Sequence, residues 1–322
     1  MSDWKPASDA DAAKRRAAML RRIRNYLESE QVLEVDTPAL SFAAGSEPNI
    51  ESLVVRSELS PDRRLFLHTS PEFFMKRLLA AGYPDIYSVC RVFRDGEVGR
   101  RHQPEFTMLE WYRLGFGLSD IIEDTCLLIS NALQLADPSV DRLDYAEAFR
   151  QYAALDPIHA SIDELASCVH ADEDLRRSLG DDRGAWLDLV LSVKVVAKFA
   201  SDRLTVIAHY PASQAALARL CPADQQVADR FEVFFGEEEL ANGYVELTDV
   251  DEQKRRMEDE VARREKSGKA VNPIDTSLLA ALQSGLPQCA GVAVGVERLQ
   301  MAFDRADDIA NVVTFVFGQE ND

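Results

Sequence analysis

Four short segments of the 322-residue chain carry side chains able to do chemistry. Glu239 and Glu246 stand seven residues apart around Asn242-Gly243, a turn dipeptide, so two carboxylates could face each other and hold a divalent cation through oxygen. Glu110 and Tyr112, in an extended stretch with Phe106 and Met108, fall on one strand face, where a carboxylate and a phenol can receive an amine. Gly295 permits close backbone approach to a planar ligand, and Arg298 can reach a phosphate. Thr69-Ser70-Pro71-Glu72 places a hydroxyl and a carboxylate at a helix start. Taken singly these are a polar hairpin, a half-exposed strand, a strand bulge and a cap, and no one segment decides a function.

The elements that must position them are legible as patterns. Leu20, Ile23 and Leu27 recur at helical spacing within 9–30, and Val32 to Val35 reads as a short strand ending before Pro38. Residues 65–68 form a strand leading to a helix that Ser70 caps and that carries Phe73, Phe74, Met75, Leu78 and Leu79. Residues 86–94 and 105–113 are β-prone and bracket a loop long enough to be functional. A helix is expected from Ser119, strands at 204–208, 230–235 and 244–247, and a charged helix from Asp251 to Lys266 ended by Gly268. Gly291 to Arg298 reads as a strand entering a helix, and 138–200 shows helical stretches without visible chemistry. Sequential strand pairs with inserted helices predict an α+β fold, an antiparallel sheet flanked by helices.

Composition excludes several classes. Hydrophobic residues make up 46% and charged residues 28%, the mixture of a globular chain with ample apolar surface to bury. No stretch is apolar enough to span a membrane, and Met1-Ser2-Asp3-Trp4-Lys5-Pro6 lacks the order of a signal peptide, so cytoplasmic residence is expected. Cys90, Cys126, Cys168, Cys221 and Cys289 are scattered without a Cys-x-x-Cys pair or a His at metal spacing, which argues against zinc. Acids outnumber bases 55 to 36, a net charge of −19 that works against nucleic acid as a partner.

In their order along the chain these segments resemble class II aminoacyl-tRNA synthetases: the helix-strand-Pro38 unit as motif 1, Arg94 and the strand after it as motif 2, and Gly291 to Arg298 as motif 3. Thr69-Ser70-Pro71-Glu72, His102-Gln103-Pro104-Glu105-Phe106-Thr107-Met108-Leu109-Glu110-Trp111-Tyr112-Arg113 and Glu239-Leu240-Ala241-Asn242-Gly243-Tyr244-Val245-Glu246-Leu247 are similar to the lysyl branch. Motif 1 begins almost at the first residue, His209-Tyr210-Pro211-Ala212-Ser213-Gln214-Ala215 follows, and Ala293 stands where lysyl-tRNA synthetases usually have Gly. These three features resemble the paralogue branch that aminoacylates elongation factor P. The resemblance implies one catalytic domain over 1–322 without an anticodon-binding domain, and a homodimer built through motif 1.

It also implies a reaction: a lysine-type carboxylate, α-lysine or (R)-β-lysine, joins ATP to give an acyl-adenylate, which a lysine of elongation factor P then attacks. On this resemblance Arg94 clamps the α-phosphate and substrate carboxylate, Arg298 the far end of ATP, and Glu239 and Glu246 hold Mg2+. Asp95, Gly96, Gln103, Leu240 and Gly295 complete the ATP site, while Ser70, Pro71, Glu72, Glu110, Tyr112 and Glu246 contact the amino-acid substrate. Gly96 replaces the Glu expected to read the adenine amino group, with Glu97 beside it, and Gln103 replaces an Asn. A lysyl-tRNA synthetase-like ligase charging tRNA or another carrier, and a non-catalytic lysine or nucleotide sensor, are the competing readings.

Overall fold

The computed structural model describes residues 4–58, 60–136 and 139–318. Of the sequence features read above, Met1 to Asp3 and Pro138 lie outside the described residues. The chain divides into two compact units, one of Met1–Gly115, Asn131–Leu133 and Thr248–Asp322, the other of Phe116–Ser130 and Gln134–Leu247. Among the described residues no helix is long and apolar enough to cross a membrane.

In the first unit the helix Ala10–Ser29 starts where the Asp9 carboxylate accepts the Ala12 amide at 2.8 Å, and it buries Met19, Ile23 and Leu27. Leu33–Glu34 pairs in parallel with Ile86–Phe93, which runs antiparallel to Glu105–Leu114. The latter pairs antiparallel with Cys289–Gly295, setting Glu110 opposite both Ser88 and Ala293, and Met108 opposite Gly295. Behind this sheet the helices Glu72–Ala80, Val250–Lys266 and Thr276–Gly285 share a core of Met75, Leu79, Met257, Leu278 and Leu282 with Ile86 and Tyr112 of the strands. Each such apolar side chain contributes roughly 1.5–3 kcal/mol by leaving water. The helix Thr276–Gly285 went unread in the sequence. Its apolar face is only two turns long, too short to stand out as a period.

In the second unit Val140–Asp144 pairs in parallel with Leu204–Ala208. Parallel neighbours need a long crossover, and residues 145–199 supply it. Tyr145–Ala153, Ile162–Cys168, Glu173–Leu179 and Arg183–Val190 pack Tyr145, Phe149, Trp186, Leu187 and Val190 against Ile207, Tyr210 and Phe234. The stretch without visible chemistry is therefore the layer that covers this sheet face. Leu204–Ala208 runs antiparallel to Arg230–Phe235, which forms a hairpin with Glu238–Val245.

That hairpin corrects the expected turn at Asn242-Gly243. The chain reverses at Gly236-Glu237, with Gly236 at φ +58°, and Asn242 sits mid-strand opposite Glu232. Two turn dipeptides competed, and Gly236 lies where the two apolar runs end.

Candidate active site

The amine-binding candidates meet in the first unit. Strand alternation along Glu105–Leu114 keeps Glu110 and Tyr112 on one face, both buried. The Tyr112 hydroxyl donates to Glu110 Oε1 at 2.5 Å and Ser70 Oγ donates to Oε2 at 2.7 Å. Ser70 Oγ also accepts the Glu72 amide at 3.0 Å. Pro71 occupies the N-cap position without a side-chain cap bond, and Ser70 one residue earlier supplies the expected cap through its lone pair while its proton goes to Glu110. Glu72, at the first helical position, receives Lys76 Nζ at 2.6 Å.

Burial, and secondarily the charge of Glu72, push the Glu110 carboxyl up to about 7 against the opposing pull of Tyr112, Ser70 and Lys76. Two carboxylates thus face one buried ammonium, a shortage of positive charge that an amine substrate would fill. Lys76 was missed in the sequence; its signal was the four-residue spacing from Glu72 on a helix.

The phosphate-binding candidates frame the loop between two strands of the same unit. Arg94 leaves Ile86–Phe93 with its amide on Pro104 O at 2.9 Å and its guanidinium 5.1 Å from the Phe106 ring centre. Its Nη1 lies 3.8 Å from Glu97, the acid adjacent to Gly96. Asp95 donates its amide to Glu51 O at 2.8 Å, which anchors the turn that follows. Gly96 stands at φ +79°, a left-handed conformation that costs a Glu roughly 1–2 kcal/mol, so the departure from the family pattern has a backbone reason.

Two ties to the end of the chain hold the far side of the loop. Ile309 donates its amide to Arg100 O and Phe317 its amide to the Gln103 side chain, each at 2.7 Å. Arg298 Nη2 donates to His102 Nε2 at 2.5 Å. Glu297, also buried, fixes the start of the helix Val296–Asp304 by accepting the Thr107 amide at 2.9 Å and Arg16 Nη2 at 2.8 Å. Linear spacing could not reveal this lock, because Arg16, Thr107 and Glu297 come from three distant segments. A methyl at Gly295 would touch only the Arg298 side chain at 4.0 Å, so the backbone face there is open.

The metal-binding candidates belong to the second unit. An odd separation such as that of Glu239 from Glu246 puts two residues on opposite faces of a regular strand. Here Val233 pairs with Ala241 while Phe234 pairs with Glu239, so Leu240 is an extra residue, a β-bulge. The bulge returns Glu239 to the face of Asn242, Tyr244 and, by alternation, Glu246. Leu240 and Glu246 are both buried. Glu232 shares that face: burial, then the charge of Glu239, push its carboxyl up to about 7, although Arg230 Nη2 donates to it at 2.6 Å. Crowded carboxylate oxygens of this kind suit a hard divalent cation such as Mg2+.

Comparison with known proteins places the chain in a family. The model for class II tRNA synthetases of the D, K and N type matches residues 3–319. The elongation factor P–(R)-β-lysine ligase of Vibrio atlanticus is 41% identical over 98% of both chains. Ligases of the same name from Klebsiella pneumoniae subsp. pneumoniae and Pseudoalteromonas translucida are each 40% identical over 97% of both chains. The chain belongs to the class II tRNA synthetase family of the D, K and N type and is a ligase.

Proposed function

We propose that the protein activates (R)-β-lysine, or lysine, with ATP to an acyl-adenylate and transfers the acyl group to a lysine side chain of elongation factor P. The observation that carries this reading is the linked group of buried Lys76, Glu110 and Tyr112 with half-buried Ser70 and Glu72. It holds one more carboxylate than ammonium, the complement of an amine on an aliphatic chain. Leaving such a buried carboxylate without its partner costs several kcal/mol, which rejects substrates lacking the amine.

Each remaining group has a task in this reading. Arg94 draws the substrate carboxylate and the α-phosphate together and stabilises the charge that builds on phosphorus. Asp95, Gly96 and Gln103 shape the loop around ATP, Gly295 lies under adenine and Arg298 holds the terminal phosphates. Glu239 and Glu246 would hold Mg2+, which supplies positive charge to the phosphate oxygens, with Leu240 turning Glu239 toward it. Glu246 also serves the substrate amine.

Ala293 sits opposite Glu110 on the neighbouring strand, so its methyl shares the face of the carboxylate, where a glycine would leave more room for the substrate. Pyrophosphate leaves in the first step; AMP leaves when the ε-amine of the acceptor lysine attacks. The protein acts as a homodimer in the cytoplasm, with 1–322 as its catalytic domain.

ATP–pyrophosphate exchange with Mg2+, run with (R)-β-lysine, α-lysine and no amino acid, tests the reading. Exchange strongly favouring (R)-β-lysine is expected. Preference for α-lysine would favour a carrier other than elongation factor P, and no exchange with either would leave a ligand sensor.

A further inference from the structure

Beyond the acidic cluster of the second unit lies a set of unlike donors. His209, Cys221 and Asp229 each offer one donor atom, and these three atoms lie within 4.8 Å of one another. The segments that carry them are laced together by backbone hydrogen bonds. His209 follows the strand Leu204–Ala208 and donates its amide to Arg230 O at 2.9 Å. Cys221 closes the short strand Leu220–Cys221, paired with Asp224–Ala228. Asp229 follows that ribbon with its amide on Arg219 O at 3.0 Å, and Ala228 donates to Tyr210 O at 2.8 Å. The three donors therefore sit on a framework already formed.

Two further side chains are arranged around them. Asp144 stands at the N-cap of the helix Tyr145–Ala153 but makes no cap bond. An Asp there ordinarily contributes about 1 kcal/mol by capping. Its carboxylate instead lies 2.7 Å from His209 Nδ1, which keeps the proton on that nitrogen and leaves Nε2 as a lone-pair donor. Arg219 Nε donates to Asp229 Oδ2 at 2.7 Å, so Oδ1 is left to serve as a ligand. With Cys221 as thiolate, three anions and one guanidinium leave two negative charges, those of a divalent cation's counter-ions.

We propose that His209, Cys221 and Asp229 form a site for a zinc-class divalent cation, with Asp144 orienting the imidazole and water taking the fourth position. Tetrahedral zinc sets its donors about 3.3–3.8 Å apart, so the site closes by about an ångström on loading. Imidazole and thiolate select this class of ion over the Mg2+ suited to Glu239 and Glu246. The bound ion clasps the ribbon 220–228 to the segment after Leu204–Ala208. It takes no part in adenylation, so its test stands apart from the proposed reaction.

The full chain, stripped with chelator, is titrated with Co2+ as a spectroscopic stand-in for zinc. One equivalent is expected to give a thiolate-to-cobalt charge-transfer band that one equivalent of Zn2+ abolishes. Cys221→Ser loses the band, whereas Cys90→Ser and Cys168→Ser keep it. Asp144→Asn, a change at an exposed carboxylate, weakens the affinity by about 10- to 100-fold. Absence of the band in the unmodified protein, or its persistence in Cys221→Ser, overturns the site.

Discussion

In the proposed reaction Glu72 answers to two groups, the substrate amine and Lys76, whose side chain is 2% exposed. Glu72→Ala removes both relationships and takes away the 2.6 Å ion pair of a buried ammonium, at a cost of about 1–3 kcal/mol. Glu72→Gln keeps an oxygen for Lys76. Glu72→Gln is thus expected to melt near the parent temperature and to lose pyrophosphate exchange, while Glu72→Ala loses both stability and exchange. Exchange surviving in the Gln variant would remove Glu72 from the substrate site.

Glu110 makes a second prediction. Its folded carboxyl titrates at about 7, above the ordinary 4.5, so the folded state holds an extra proton between those values. This group's contribution to stability therefore falls as pH rises through that window. An ammonium substrate prefers the ionised form. The thermal stabilisation given by (R)-β-lysine should grow from about pH 6 to about pH 8; a shift independent of pH would place the amine elsewhere. At this scale local alternation exposed Glu110 with Tyr112 and helix-start chemistry exposed Ser70 with Glu72, while only the family resemblance joined the two pairs. Lys76 and the Arg16–Thr107–Glu297 lock stayed hidden, because their meaning depends on burial and on partners far along the chain.

Among the elements, the strand Glu238–Val245 depends on a single inserted residue. Deleting Leu240 removes the inserted residue and leaves Glu239 and Glu246 six positions apart, an even spacing that keeps both on one face of a regular strand. The deletion variant is expected to retain both exchange and the hairpin's circular dichroism. Loss of exchange in a folded variant would mean that the shared face alone does not let the two carboxylates work together. The strands at 230–235 and the helix at 251–266 were readable from periodicity and capping, within a residue or two of Arg230–Phe235 and Val250–Lys266. The turn was misplaced because Asn-Gly is a stronger local signal than Gly-Glu. Only the pairing of two whole strands decides between them, and pairing is not a local property.

At the level of the molecule, the net charge of −19 is a field felt by any polyanion. The protein is expected to leave total tRNA unretarded in a gel at physiological salt, and tight, salt-sensitive retardation would revive a tRNA-charging role. Light scattering at micromolar concentration should return the mass of a dimer, and a monomer would count against an interface built from the first helix and strand. The α+β class was legible because strand and helix periods alternate plainly along most of the chain. The zinc-class cluster was not, since His209, Cys221 and Asp229 are brought together by ladders rather than by spacing.

The ties from Ile309 and Phe317 to Arg100 and Gln103 also set an order in time. A polypeptide is made from its N-terminal side onward, so these two amides, worth about 1 kcal/mol each, are synthesised about two hundred residues after the loop they hold. A chain ending at Asp308 keeps Arg94 and Arg298 but neither tie, and its KM for ATP is expected to rise more than its kcat falls; unchanged kinetics would show the ties to be idle. The loop after Arg94 is therefore completed long after its own residues are made. A chain cut at Asp308 owns the residues assigned to the reaction without these two amides to hold the loop still.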